Sequence, residues 1–281
     1  SPPPLMSDFE LTTRHLLSAR MQHVYPKRAL SKLMFSATRI RFAPWKNWQI
    51  RWFIERYQVN IEEALETNPR EYPEFNTFFT RPLSDDARPL PMEPDVICSP
   101  ADGRVLELGD VTDGRMLQVK GQELDVVSLL GGDKAIASPF INGKFVTVYL
   151  SPRDYHRVHM PVDGTLERMA YIPGKLFGVS LPCVHGIPEL FTRNERVVSF
   201  FSTPAGPVAQ ILVGAVFVGC IETVWAGAVN GPRDCVSWSD YSQGGSPIAL
   251  ARGQEMGRFN MGSTVITVFG GDAAQLAQDV R

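Results

Sequence analysis

The residues with the most chemical potential lie in the stretch 255–269, "EMGRFNMGSTVITVF". Met261-Gly262-Ser263-Thr264 stands at the mouth of the β-branched run 265–269, with Ser263 opening the last 19 residues of the chain. A turn before a strand is one reading; a reactive Ser263 is the other. No GxSxG elbow surrounds it and no HGGG-type loop occurs, which disfavours a secreted-type serine hydrolase. A serine can instead attack its own main chain. Its Oγ lies beside the carbonyl carbon of the preceding residue, and Gly262 has no Cβ, so that carbonyl is accessible and the peptide can adopt strained dihedrals. A base that takes the Ser263 proton starts an N→O acyl shift to an ester. Loss of the serine α-proton then expels the Gly262 carboxylate by β-elimination. The resulting dehydroalanine hydrolyses to a pyruvoyl group and ammonia, and the chain is cut between Gly262 and Ser263.

Such chemistry needs a base and an orienting acid. In "YLSPRDYHRVHMPVDG", His156 and His159 are two of only five histidines. Ser151 reads as an N-cap, Pro152 suits a first helical position and Asp154 stands where a capping box wants an acid. A helical turn there places the two histidines on one face. HxxH lacks the spacing of a zinc protease and no third ligand is evident, so no metal is expected. Either imidazole is a natural base near neutral pH, and two hydrogen-bonded structural histidines are the competing reading. In "SPADGRV", Asp102 reads as an Asx turn before Gly103. Beside a histidine, the same carboxylate can fix an imidazole tautomer.

Two textures must position these residues. Residues 9–57 read as helices interrupted at Pro26 and Pro44, Asn60 reads as the N-cap of a helix over "IEEALE", and "EYPEFNTFFTRPL" is a further helical stretch ended at Arg81-Pro82. From about residue 95, short β-rich runs alternate with Gly and Pro turns, which predicts a β-sandwich or flattened barrel rather than βαβ units. The expected fold class is therefore α+β: a helical N-terminal arm, residues 1–72, on a β-rich body, residues 73–281.

Composition narrows the setting. The chain has 281 residues, 44% of them hydrophobic, and a net charge of −2, which suits one large domain with an appendage. Four well-separated cysteines without a CxxC pair read as free thiols, three of them buried, in a reducing compartment. The longest apolar run, 211–221, is too short for a bilayer span of roughly 20 residues. Charge is uneven: residues 1–60 carry ten Lys/Arg against three acids, together with Trp45, Trp48 and Trp52. Basic residues interleaved with aromatics fit nucleic acid or anionic lipid, and the tryptophans favour the lipid headgroup layer. The alternative is a helical face packed on the body through those aromatics.

With these residues in view, the chain resembles the bacterial, proteobacterial-type phosphatidylserine decarboxylase family of pyruvoyl-dependent, self-cleaving proenzymes. The matching segments are "FNTFFTRPL", "PADG", "YLSPRDYHRVHMP", "YIPGKLF", "LFTRNERV", "AQILVGAVFVGCIETVWAG" and "GQEMGRFNMGSTV", in order between about residues 75 and 269. The family's Leu-Gly-Ser-Thr is here Met261-Gly262-Ser263-Thr264, a mild change of volume. The resemblance implies that Asp102, His159 and Ser263 form the self-cleavage triad, that His156 serves decarboxylation, and that Ser263 becomes the pyruvoyl cofactor. It implies a β chain, 1–262, and an α chain, 263–281, that stay associated. The implied reaction converts phosphatidylserine to phosphatidylethanolamine and CO2 through a Schiff base between substrate amine and pyruvoyl ketone, an electron sink like that of PLP. An uncleaved lipid-binding or membrane-adaptor protein of the same fold is the alternative. Expected partners are phosphatidylserine, an anionic membrane surface, the chain's own two fragments and a second copy in a homodimer, with no nucleic acid. The expected location is peripheral, on the cytoplasmic face of the inner membrane.

Overall fold

The run "TVITVF" is apolar and β-branched, with no alternation of polar residues, as expected of a strand buried on both faces. In a computed structural model it forms the last strand, Thr264–Phe269, buried at every position. The structure describes residues 27–117, 123–215, 220–229, 231–232, 234–243, 245–260 and 264–271. The larger sheet is built from β1 (Arg104–Thr112), β2 (Arg115–Leu117), β3 (Glu123–Asp125), β4 (Lys144–Tyr149), β6 (Gly164–Ile172), β7 (Arg196–Thr203), β8 (Gly206–Val213), β11 (Ser237–Asp240), β12 (Ala249–Leu250) and β14 (Thr264–Phe269). These ten strands lie in the order β11-β6-β7-β8-β14-β4-β1-β2-β3, with β12 paired to β6. A smaller sheet comprises β5 (Arg157–His159), β9 (Ile221–Thr223), β10 (Gly227–Val229) and β13 (Glu255–Phe259), in the order β10-β9-β13-β5.

Every pairing between these strands is antiparallel. One apolar cluster draws on both sheets, from Ile211, Val213 and Ile266 to Val158, Met256 and Phe259. The class is α+β with a β-rich body, as the strand-and-turn texture predicts. Gly103, at the entry to β1, has φ +152°, and a Cβ there would stand 2.2 Å from the Tyr149 carbonyl oxygen. Only glycine allows that approach, so the PADG turn is pressed against the end of β4, next to the start of β14.

Among the described residues three helices precede the sheets: α1 (Lys27–Ala37), α2 (Ala43–Tyr57) and α3 (Phe75–Phe79). They carry their own cluster of Ile50, Phe53, Val59, Tyr72, Phe75, Phe78 and Phe79. The Phe53 ring meets Phe75, Phe78 and Phe79 edge-on at 5.2, 6.2 and 5.8 Å, the arrangement favoured by aromatic quadrupoles. α2 is two-sided. Ile50 and Phe53 face inward, while Trp45, Trp48 and Trp52, 38, 57 and 49% exposed, face outward. Packing on the body therefore does not account for the tryptophans.

Three local expectations are corrected. Asn60 does accept from the Glu62 amide, at 3.2 Å, but only in a turn. No helix follows over "IEEALE", because Ala64 pairs with Leu83 in an isolated bridge. Residues 156–159 lie in and beside a strand, not on a helix. Ser151 and Asp154 keep the capping contact, with the Asp154 carboxylate accepting from the Ser151 amide at 2.6 Å and hydroxyl at 2.7 Å. The chain then turns into β5, where pairing with β13 prevails over local helix propensity. None of the four cysteines forms a disulfide, and Cys183 alone of them is buried; Cys98 and Cys220 are half-buried and Cys235 is exposed. The segment 9–26, read as helical, lies outside the described residues.

Candidate active site

The Gly262–Ser263 bond lies between the last strand of the small sheet and the central strand of the large one. Met261, Gly262 and Ser263 are outside the described residues, but both flanks are fixed. On one side, Asn260 follows β13 and is 1% exposed. Its amide nitrogen donates to Glu222 Oε1 at 2.9 Å and to the Cys220 carbonyl at 3.1 Å, and its Oδ1 accepts from Asn76 on α3 at 2.8 Å. On the other side, Thr264 is held in the ladder between Val213 and Tyr149. Asn260 was not singled out from the sequence, although it stands in the motif itself; its partners come from β9 and α3 and have no local signature.

β5 carries the second histidine opposite Glu255 of β13 and beside the PADG turn. The His159 amide donates to the Pro100 carbonyl at 2.7 Å, which ties β5 to the PADG turn. Its ring Nδ1 donates to the Gly253 carbonyl at 2.7 Å, and its Nε2 accepts from the Tyr155 hydroxyl at 3.0 Å. A carbonyl can only accept, so the proton is on Nδ1 and the basic lone pair on Nε2. Burial pushes the Tyr155 phenol up to about 12, so near neutral pH it stays a donor to that lone pair.

Asp102 has a different partner. Its carboxylate accepts from Arg88 Nε at 3.0 Å and Nη2 at 2.5 Å, and Arg88 Nη2 also reaches Glu63 at 2.8 Å. Among the described residues, Asp102 and His159 share no hydrogen bond, because a forked guanidinium outcompetes a single imidazole N–H for a carboxylate. Turn and strand are brought together, but this state binds each side chain elsewhere. Arg88 and Tyr155 were not identified from the sequence: Arg88 is 14 residues from Asp102, and Tyr155 is visible only as the aromatic beside His156.

His156 is wholly buried. Its ring lies 4.0 Å from Phe79 of α3, its Nδ1 donates to the Asp154 carbonyl at 2.7 Å, and its Nε2 has no partner among the described residues. Burial lowers its pKa to about 3, with the nearby Arg81 charge lowering it further against the Asp154 bond. His156 is thus a neutral imidazole with a free lone pair. The Phe259 amide donates to the His156 carbonyl at 3.0 Å, which sets this ring one residue from Asn260 in the ladder. Thr264 Oγ1 is also buried without a partner among the described residues. Each of these atoms lacks the hydrogen bond that buried polar atoms normally make: the Thr264 hydroxyl can donate to a carbonyl oxygen, while the His156 Nε2 lone pair can only accept from an N–H or O–H.

The His156 shift has a measurable consequence. The unfolded chain takes up a proton near pH 6.5 that the folded chain refuses until about pH 3. This contribution is therefore fully favourable above pH 6.5 and is lost as pH falls through that window. At pH 4.5 the loss amounts to about 2–3 kcal/mol. His156→Asn keeps a donor for the Asp154 carbonyl but cannot titrate. Thermal melts of the wild type should fall more steeply from pH 7 to 4.5 than those of the variant; parallel curves would refute the assignment.

Known proteins share this sequence over most of its length. The family model described as phosphatidylserine decarboxylase matches residues 75–281, and a model described as PSD matches residues 17–58. The chain is 51% identical to a phosphatidylserine decarboxylase proenzyme of Nitrosococcus oceani, over 95% of this chain and 88% of the relative. It is 45% identical to a proenzyme of the same name from Pseudoalteromonas translucida, over 92% and 91%, and 48% identical to one from Stutzerimonas stutzeri, over 92% and 88%.

Proposed function

This chain belongs to the phosphatidylserine decarboxylase family, and on that premise we propose that it is a self-processing decarboxylase that turns phosphatidylserine into phosphatidylethanolamine at a membrane surface. The observation that carries this reading is the Gly262–Ser263 junction: both flanks are clamped, and two histidines in different protonic settings stand at the two ends of β5, the strand paired with β13. In processing, the Ser263 hydroxyl gives its proton to His159 as its oxygen attacks the Gly262 carbonyl. For that, Nε2 of His159 must exchange the Tyr155 hydroxyl for the serine. The Asp102 carboxylate, held by Arg88 before the cut, steadies the cationic imidazole. β-Elimination and hydrolysis then release ammonia and leave the chains 1–262 and 263–281.

The pyruvoyl group at residue 263 supplies the electron sink for loss of CO2. The substrate ammonium must lose a proton before its nitrogen can act as a nucleophile. His156 is assigned the return of a proton to Cα once CO2 has left; its neutral Nε2 first accepts a hydrogen bond from the substrate nitrogen and takes up the proton only when the bound anionic headgroup offsets the cost of burial. Its burial excludes bulk water from the exchange.

The membrane contact is assigned to the outward face of α2 and the turn before it. Ile40 and Phe42, 43 and 66% exposed, flank Arg41, and Trp48 and Trp52 flank exposed Arg51. Among the described residues no helix is long and apolar enough to cross a membrane. Aromatics in the headgroup layer and cations against anionic lipid support a peripheral mode, here at the cytoplasmic face of the inner membrane. Trp48→Ala/Trp52→Ala should weaken vesicle binding about tenfold or more. Raising salt should weaken it on phosphatidylserine vesicles but not on neutral ones. Salt-independent binding in flotation assays would refute the electrostatic part.

The decisive test of the whole reading is an intact mass spectrum with a lipid assay. Fragments 1–262 and 263–281, the latter without a free amine, together with CO2 release from phosphatidylserine, are expected. A full-length chain that binds vesicles and releases no CO2 would instead identify an uncleaved adaptor.

A further inference from the structure

Among the described residues two arginines are buried, Arg196 and Arg81, and only the first is satisfied as the more exposed ones are. Arg196, 2% exposed, donates to the carbonyls of Leu129, Thr192, Asn194 and Ser128 at 2.7–2.9 Å. Arg252 donates to the carbonyls of Pro91, Glu93 and Val96 at 2.6–2.9 Å. Arg157 has Thr80 and Glu255, and Arg88 has Asp102 and Glu63. Arg81 is 3% exposed, yet its guanidinium makes no hydrogen bond or ion pair among the described residues. Its Nε is fully shielded without an acceptor, and its guanidinium carbon lies 5.4 Å from the Phe78 ring centroid. Glu63 and Asp102 act on it through space, but both carboxylates are committed to Arg88. A buried cation without acceptors is strongly disfavoured, so the position makes sense only if an acceptor arrives from outside.

The place for one is adjacent. Arg81 lines a cleft of about 220 Å³ whose other arginines, Arg88 and Arg153, are paired with its three carboxylates, Glu63 and Asp102 with the first and Asp154 with the second. The lining is charged and hydroxylic, which excludes acyl chains, and the volume is below that of pockets for drug-sized ligands. The cleft is linked to both histidines. Tyr155 in its wall bonds His159, and the Arg81 charge acts on His156.

We propose that Arg81 is the receptor for an oxyanion of the substrate headgroup, specifically the phosphodiester of a glycerophosphoserine moiety. This rests on the decarboxylase reading and adds to it the cation that orients the lipid. The headgroup carries two anionic groups, and the chemistry chooses between them. The carboxylate must leave as neutral CO2, so a buried cation bound to it stabilises the ground state and slows the reaction. The phosphodiester keeps its charge throughout, so a cation on it strengthens binding without penalising the chemical step. Forked guanidinium donors match phosphate oxygens as well as they match carboxylates.

The test is a binding measurement on the full-length Ser263→Ala chain, with and without Arg81→Met, by titration calorimetry. The probes are glycerophosphoserine, inorganic phosphate and free serine. Arg81→Met should weaken glycerophosphoserine and phosphate at least tenfold and leave serine unchanged. Loss of serine binding with phosphate retained assigns Arg81 to the carboxylate and overturns the proposal. Phosphate binding without glycerophosphoserine binding identifies an adventitious anion only, and also overturns it. Without ligand, Arg81→Met should melt at the same temperature as its parent or higher, because an unsatisfied charge is removed, whereas Arg196→Met should melt lower. An equal drop for both would make Arg81 structural and overturn the proposal. These readouts do not depend on turnover. If the wild type is processed and active while the Arg81 results fail, only this inference falls. If the Arg81 results hold in a chain that never cleaves, the decarboxylase reading falls and a phosphodiester site remains.

Discussion

Ser263→Ala is expected to yield a single full-length polypeptide with no detectable decarboxylation. On the proposed reading the hydroxyl is the nucleophile of the cut and, once esterified to Gly262, the oxygen that leaves in the β-elimination, so no neighbouring group can substitute for it. The structure makes the result interpretable. Asn260 is held by four hydrogen bonds and Thr264 by the ladders of β4 and β8. Removing one oxygen between two clamped flanks leaves the fold intact, and the variant should melt within about 0.5 kcal/mol of the unprocessed parent chain, the range typical of a change away from core packing. A Ser263→Ala chain that still divides at this bond, seen by intact mass, would end the self-processing account.

The second large effect separates the two histidines. His159→Ala should block or greatly slow the cut, because the lone pair that takes the serine proton is lost. His156→Ala should be processed yet lose decarboxylation by about 10²–10⁴-fold, the usual range for a positioned acid–base group. The prediction follows from environment. His159 is half-buried, with a tautomer set by Gly253 and a lone pair held by Tyr155. His156 is sealed against Phe79 with an unpartnered Nε2. One gel and one CO2 assay on each variant decide the matter; a His156→Ala chain that remains uncut would show that the roles are not divided this way.

Asp102 adds a qualification to the expected triad. Joining it to His159 requires Arg88 to give up part of a two-carboxylate clamp. The ion pair is half-exposed, and pairs of that kind contribute little net stability, so the exchange is energetically accessible as the Ser263 proton moves and the imidazole becomes charged.

Much of this protein was determined by residue order alone. The β-branched run 265–269 specifies a strand covered on both faces, the Gly and Pro punctuation specifies short strands, and Gly262-Ser263 is where the proposed attack of a serine on its own backbone would occur. These are local properties of dihedral freedom, side-chain branching and atom connectivity. The histidine spacing was not decisive, because i and i+3 are compatible with a helix face or with a strand entry, and only pairing of β5 with β13 selected the strand. Nor do residue types set the protonation of His156, the partner of Asp102 or the isolation of Arg81. Those depend on which side chains α3, the PADG turn and the two sheets bring within hydrogen-bond distance, and on how much water the packing removes; both are sums over residues distant in the chain, and only the tertiary structure performs them.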